Sequence, residues 1–265
     1  MRSVIIFSLS IGMLLVQGCL KERAKVAPVE RIDTQSGSAD QQELKTRITS
    51  ALEVGNYEYV KDLLHKYIST YPDDAKLPSF RLMLADVYYE LEQYAAAYET
   101  YNAYHQYYPS SKHAEYALYK AAHAQFAQSN DVACDATPVE KTIELCNDYL
   151  AKGEYQEYRA QIKELLHTCQ QRLLNKEFLI AKAYMAQNRL ASAKNRLKYI
   201  SDTFDLAEHN GQDKLLFYNA KLARQEDNTE LMNGIVSELH ELYPDSRFTA
   251  MAQRVATDSE TIFDS

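Results

Sequence analysis

The stretch from Ala85 to Pro109 decides the fold. It reads Ala85-x-x-Tyr88, then Tyr94-x-x-Ala97-x-x-x-Tyr101-x-x-Tyr104, and closes on Pro109. Spacings of three and four place these residues on one face of a helix, so each half of the stretch reads as an amphipathic helix. A turn falls between Tyr88 and Tyr94. Ala85 and Ala97 are small where two helices would touch, and the large residues three or four positions away fill the space beside them. Pro109 ends the unit because proline cannot continue a helix.

The same frame recurs along the chain. Upstream, Gly55-Asn56-Tyr57 makes a turn, followed by Val60, Leu64, Tyr67 and Pro72. The interval from Pro72 to Pro109 is close to one helix-pair repeat of about 34 residues. Downstream, Ala181, Tyr184, Leu190, Ala193, Leu197 and Ile200 fit again, with Asp205 standing where the proline would be. The last copy runs through Ala220, Ala223, Thr229, Met232, Val236, Leu239 and Pro244. A third, irregular unit lies between. Its first helix spans Ala117 to Phe126, a polar loop runs from Ser129 to Thr137, and Pro138 opens the second helix. Proline is tolerated there because the first helical N–H has no partner to lose. No Gly or Pro interrupts the helical spacing between Tyr155 and Met185, which predicts one long helix shared by the third and fourth units. The pattern resembles the tetratricopeptide repeat. It implies an all-α superhelical solenoid of about five helix pairs with a concave face.

Composition agrees. The 265 residues include only 7 glycines and 6 prolines but 21 tyrosines, which leaves little material for the turns of a β-sandwich. A net charge of −8 argues against nucleic-acid binding, which needs a basic face to neutralise phosphates. After the N-terminal segment no long uncharged apolar run remains, so no further membrane span is expected.

The N-terminus reads as an address. Arg2 precedes an apolar run from Val4 to Val16, too short for a comfortable membrane span, and Val16-Gln17-Gly18-Cys19 follows. This resembles the bacterial lipobox. On that resemblance residues 1–18 are a lipoprotein signal peptide and Cys19 is the site of lipid attachment, carrying acyl chains that anchor the chain to a membrane. The alternative is an ordinary secretory signal beside a coincidental cysteine. Residues 19–42, with Pro28 and the Ser36-Gly37-Ser38 tract, read as a flexible tether. Residues 43–256 form the repeat domain, and 257–265 an acidic tail.

Further residues carry a resemblance to the BamD family of outer-membrane assembly lipoproteins. They are Tyr107-Tyr108-Pro109-Ser110-Ser111 followed by Ala117-Leu118-Tyr119, and Asp135-Ala136-Thr137-Pro138. Ala181-Lys182-Ala183-Tyr184, Asn188-Arg189-Leu190 and Ala193-x-x-Arg196-Leu197 complete the set. The resemblance implies a scaffold, not an enzyme, anchored in the outer membrane and facing the periplasm. Its implied partners are the barrel-forming assembly subunit with its periplasmic domains and unfolded outer-membrane protein clients. No cofactor beyond the covalent lipid is implied. The alternative is another repeat lipoprotein, such as a secretin pilotin or a cell-wall coordinator. A lipid-anchored hydrolase would need a nucleophilic constellation, and no His-Glu-x-x-His, CxxC, P-loop or GxGxxG motif is present.

Two candidate sites follow. First helices of such pairs line the concave side, which places Leu82, Asp86 and Tyr89 of the second unit beside Tyr116, Tyr119, His123 and Phe126 of the third. Together they would form an aromatic groove for an extended peptide, since aromatics give large contact area at low entropic cost. The alternative is that these side chains pack between neighbouring repeats. The second concerns cysteines. If the third unit's second helix and the long helix turn near Ala151 to Gly153, Cys134 and Cys169 lie at equal heights. A disulfide between them is expected, with Cys146 free and buried; the alternative is three unpaired thiols. The seven histidines are scattered and make no metal site.

Overall fold

The computed structural model describes residues 37–129 and 136–257. The signal segment, Cys19, most of the tether, Cys134 and residues 258–265 lie outside the described residues. Within them the chain is helical: α1 (Ala39–Glu53), α2 (Tyr57–Thr70), α3 (Leu77–Glu90), α4 (Tyr94–Tyr107), α5 (Ala114–Ala127), α6 (Thr137–Ala151), α7 (Arg159–Ala186), α8 (Leu190–Thr203), α9 (Gln212–Gln225), α10 (Thr229–Leu242) and α11 (Arg247–Thr257). Each helix packs on the next, which makes five antiparallel pairs, and α11 closes the array against α9 and α10. The chain is an all-α helical repeat solenoid.

Local chemistry fixes the turns within pairs. Four of them place one residue in the left-handed region: Gly55, Glu92, Asn188 and Asp227. Asn56 and Asn228 then cap the second helix, their Oδ1 atoms accepting from the N–H groups of Tyr59 and Leu231 at 3.3 and 3.1 Å. Between pairs, Asp205 does the work expected of a proline. Its Oδ1 accepts from the N–H groups of Ala207 and Glu208 at 3.1 and 3.0 Å and folds the chain into a turn.

Helix α1 starts at Ala39, inside the stretch read as tether. Ser38 is the reason, because its side chain accepts from the Gln41 N–H at 3.2 Å and supplies an N-cap that composition alone did not reveal.

The core is a chain of clusters, each built from three successive helices. Ile48, Leu64, Tyr67 and Phe80 tie α1 and α2 to α3. Leu82, Ala85, Tyr101, Ala117 and Ala121 tie α3 and α4 to α5. Val139, Cys146, Tyr149, Ile162 and Cys169 join α6 to the first half of α7, while Leu174, Phe178, Met185 and Leu197 join its second half to α8. The expected long helix is therefore real: α7 has 28 residues and serves two units. Stability in such an array is a sum of unit and nearest-neighbour terms.

Buried tyrosines recur on the second helices of the first three pairs. Tyr67, Tyr101 and Tyr149 are fully buried, and each hydroxyl donates to a carboxylate, of Asp74, Asp86 and Glu115 respectively. A phenol inside a core needs such a partner.

The cysteine expectation holds for Cys146 and not for Cys169. Cys169 is a free, buried thiol, and its fellow in the same cluster is Cys146, also free and buried. Burial pushes both thiols up to about 12. The α6–α7 turn runs from Lys152 to Tyr158, later than expected, and this moves the level mate of Cys169 into α6 itself. Its expected partner, Cys134, lies outside the described residues.

Candidate functional site

Helix α3 is buried on two sides, and this decides which expected groove residues line a surface. Phe80, Met83, Leu84 and Val87 face α1 and α2, while Leu82 and Ala85 face α4 and α5. Leu82 is 3% exposed and Asp86 2%, so neither lines an open groove. The expectation took one face of α3 as its packing stripe and the other as free. A first helix between two neighbours has no fully free face.

Asp86 instead holds three helices together. Its Oδ1 accepts from the hydroxyls of Tyr101 on α4 at 2.5 Å and Tyr116 on α5 at 2.8 Å. Its Oδ2 is buried without a hydrogen-bond partner among the described residues. Burial raises this carboxyl to about 6, against the two tyrosine bonds and the Lys120 charge, which pull it down. Lys120 itself is buried, and its Nζ lies 3.6 Å from the centroid of the Tyr89 ring. Burial lowers its pKa, while Asp86 and Glu90 act the other way.

The remaining expected residues lie on one half-buried stripe of α5, where Tyr116, Tyr119, His123 and Phe126 recur at three- and four-residue steps. Two residues from the α7 region meet them. Tyr158 stacks on Tyr119 with centroids 4.3 Å apart and planes at 15°. The Arg172 guanidinium lies 4.1 Å from the Phe126 centroid and donates to Ser129 Oγ at 2.9 Å. His123 meets the Tyr119 ring edge-on at 4.6 Å, and its Nε2 is buried without a hydrogen-bond partner among the described residues. Burial, and then the Lys120 charge, lower His123 to about 4, so it is neutral at physiological pH.

The seven residues thus divide. Leu82, Asp86 and Tyr116 are inter-repeat packing, while Tyr89, Tyr119, His123 and Phe126 remain half-buried along the first helices. The sequence reading missed Tyr101, Lys120, Tyr158 and Arg172. Lys120 was within reach, since it stands four residues after Tyr116 on the same stripe. Tyr158 and Arg172 come from a neighbouring unit, and nothing in their local spacing marks them. The band offers aromatic faces and one guanidinium, which suits holding an extended peptide with aromatic and acidic side chains. Among the described residues no group of three or more His, Cys, Asp or Glu side chains is placed to hold a metal ion. Among the same residues no helix is long and apolar enough to cross a membrane.

Comparison with known proteins adds three findings. Residues 38–233 match the YfiO family, described as outer membrane lipoprotein. The outer membrane protein assembly factor BamD of Caulobacter vibrioides is 23% identical over 208 residues, which cover 78% of this chain and 68% of that protein. Among solved structures, PilW, described as a widely conserved type IV pilus biogenesis factor, aligns with 82% of this chain and 100% of its own. Its identity is 13% and its TM-score 0.31.

Proposed function

The chain belongs to the YfiO family of outer membrane lipoproteins, and from that premise we propose that it is a docking scaffold for the assembly of β-barrel outer-membrane proteins. The single observation that carries the reading is the half-buried band of Tyr89, Tyr119, His123 and Phe126, completed by Tyr158 and Arg172. A barrel protein's unfolded segment is an extended chain with alternating aromatic residues, and this band presents ring faces and a guanidinium of matching chemistry. The similarity to an assembly factor supports the same reading.

In this account Cys19 carries acyl chains that fix the chain to the inner leaflet of the outer membrane, facing the periplasm. The polar residues after it set the distance of the solenoid from the bilayer. The far repeats hold the barrel-forming subunit through its periplasmic domains, and the band near α5 samples clients. Work is done by binding, with no chemical step assigned to any residue.

The test is affinity isolation of the tagged chain from membranes in mild detergent, followed by mass spectrometry. The expected result is a stoichiometric outer-membrane barrel protein that carries periplasmic domains. Recovery of a secretin or of a cell-wall enzyme in its place would overturn the assembly role.

A further inference from the structure

A second surface on α7, α9 and α11 is unlike the rest of this acidic chain. At its centre lies the half-buried ring of Tyr218, stacked on the core residue Phe178 with centroids 5.4 Å apart and planes at 23°. Four cations surround it. Lys214 places its Nζ 4.5 Å from the Phe178 centroid and donates to Asn175 Oδ1 at 2.8 Å. Burial and then the charge of Arg247 lower the pKa of Lys214. Seven residues on along the same helix face, burial and then the charge of Lys182 lower Lys221. Arg247 and Lys182 are exposed, while Lys214 and Lys221 are half-buried. One carboxylate, Asp213, counters Lys214, and its Oδ2 already accepts from Ser246 Oγ at 2.6 Å. Like charges gathered in this way attract an anion and relieve their own repulsion when one binds.

The residues that follow α11 have the matching chemistry. Asp258, Glu260 and Asp264 surround Ile262 and Phe263, and no Lys or Arg occurs from 258 to 265. Their point of departure also fits. Phe248 in the first turn of α11 meets Phe217 of α9, with centroids 5.6 Å apart. Two chain reversals, through α10 and into α11, make α11 run parallel to α9. Its end at Thr257 therefore lies about a turn beyond the level of Lys221. A chain returning from there passes Lys221 and Lys182 first, then Tyr218, then Lys214 and Arg247. Lys214 and Lys221 are about 10 Å apart along the helix, and eight extended residues reach about 26 Å.

We propose that residues 258–265 dock in cis on this surface, with Phe263 against the Tyr218 ring and the acidic side chains beside Lys182, Lys214, Lys221 and Arg247. The chain then covers the inner face of its own last repeats, and an acidic, aromatic partner segment must displace it to bind there. The inference stands on this surface and is independent of the function proposed above.

The test places the photo-crosslinker benzoylphenylalanine at position 263 of the full chain in detergent. Irradiation is expected to give an intramolecular crosslink that maps to this surface. Glu260→Lys with Asp264→Lys should reduce it roughly fivefold, the effect of two weak ion pairs. Adding Lys182→Glu and Lys221→Glu should restore it. The two tail substitutions lie beyond the last helix, so they decide the matter even if the rescue variant folds poorly. Crosslinks to a second copy, to another protein, to lipid or to another part of the chain would overturn the proposal. So would the absence of a crosslink, or a crosslink indifferent to the tail substitutions.

Discussion

Asp74 and Asp86 make a natural experiment inside one protein. Both sit between repeats and both accept a hydroxyl from a buried tyrosine of the preceding second helix or of their own pair. Their surroundings then diverge. Asp74 Oδ2 also accepts from Gln41 Nε2 at 2.7 Å and pairs with Lys45 Nζ at 3.4 Å, while its Oδ1 accepts from the Lys76 N–H at 2.8 Å. Burial alone would raise its pKa. The bond from Tyr67, the Lys76 N–H and the Lys45 charge outweigh burial and hold the carboxyl below its usual value. Asp86 has two tyrosine donors on one oxygen and none on the other, and its nearest cation sits over Tyr89. There burial wins. A buried carboxylate stays ionised when a cation is brought to it, and drifts toward its protonated form when only phenols are.

The largest expected effect breaks the first member of the pair. Asp74→Asn removes the carboxylate that lies 3.4 Å from the Lys45 ammonium, itself 1% exposed. The expected cost is about 3–5 kcal/mol, read as a fall in the urea midpoint at pH 7. A loss under about 1 kcal/mol would show that the pair contributes little.

The next two sharpen the comparison by pH. Asp86 has a folded pKa of about 6, above the ordinary 3.8, so the folded state holds its proton more tightly. Its contribution is greatest at low pH and is lost as pH rises through about 6, to the extent of about 3 kcal/mol. His123 runs the other way. Its folded pKa of about 4 lies below the ordinary 6.5, so stability is present at neutral pH and lost as pH falls, again by about 3 kcal/mol. The two slopes oppose each other between pH 4 and 6.5. Asp86→Asn is expected to expose the histidine slope, and His123→Gln the aspartate slope, in urea titrations across that range. Identical pH profiles in both variants and the parent chain would refute this assignment.

The smallest effect concerns one hydroxyl. Tyr116→Phe keeps the ring but removes one of the two donors to Asp86. A loss of about 1 kcal/mol at pH 7 is expected, shrinking at pH 4, where the folded carboxyl is protonated and accepts a weaker hydrogen bond. A loss that does not change with pH would mean that ring packing, and not the hydroxyl, is what Tyr116 supplies.

Much of the fold was legible because its rules are local. Ala85, Ala97 and the tyrosines beside them follow helical spacing, and Gly55-Asn56 and Asn188 mark turns by their tolerance for the left-handed region. The length of α7 was legible because nothing in its sequence stops a helix. What escaped depends on neighbours. The double burial of α3, which turned Leu82 and Asp86 from lining residues into packing, is set by α5, and helical spacing cannot say that a second stripe is covered. The start of α1 hung on one serine cap, and the level of Cys169 on a turn whose length no motif encodes. Of the candidate band, Tyr119 and Phe126 were legible as a stripe on α5. Tyr158 and Arg172 were not, because a solenoid joins residues one unit apart without any trace in local spacing.

The most direct test of the account asks whether that band holds a client. An unfolded β-barrel outer-membrane protein, kept soluble in dilute urea, would be titrated against the full chain and against its Tyr119→Ala Arg172→Ala variant, with fluorescence anisotropy as the readout. The variant should fold as the parent does and bind at least about tenfold more weakly, as expected when a stacked aromatic and a cation are removed from a binding surface. Equal affinity of the folded variant and the parent would contradict the claim that clients dock on the half-buried aromatic band.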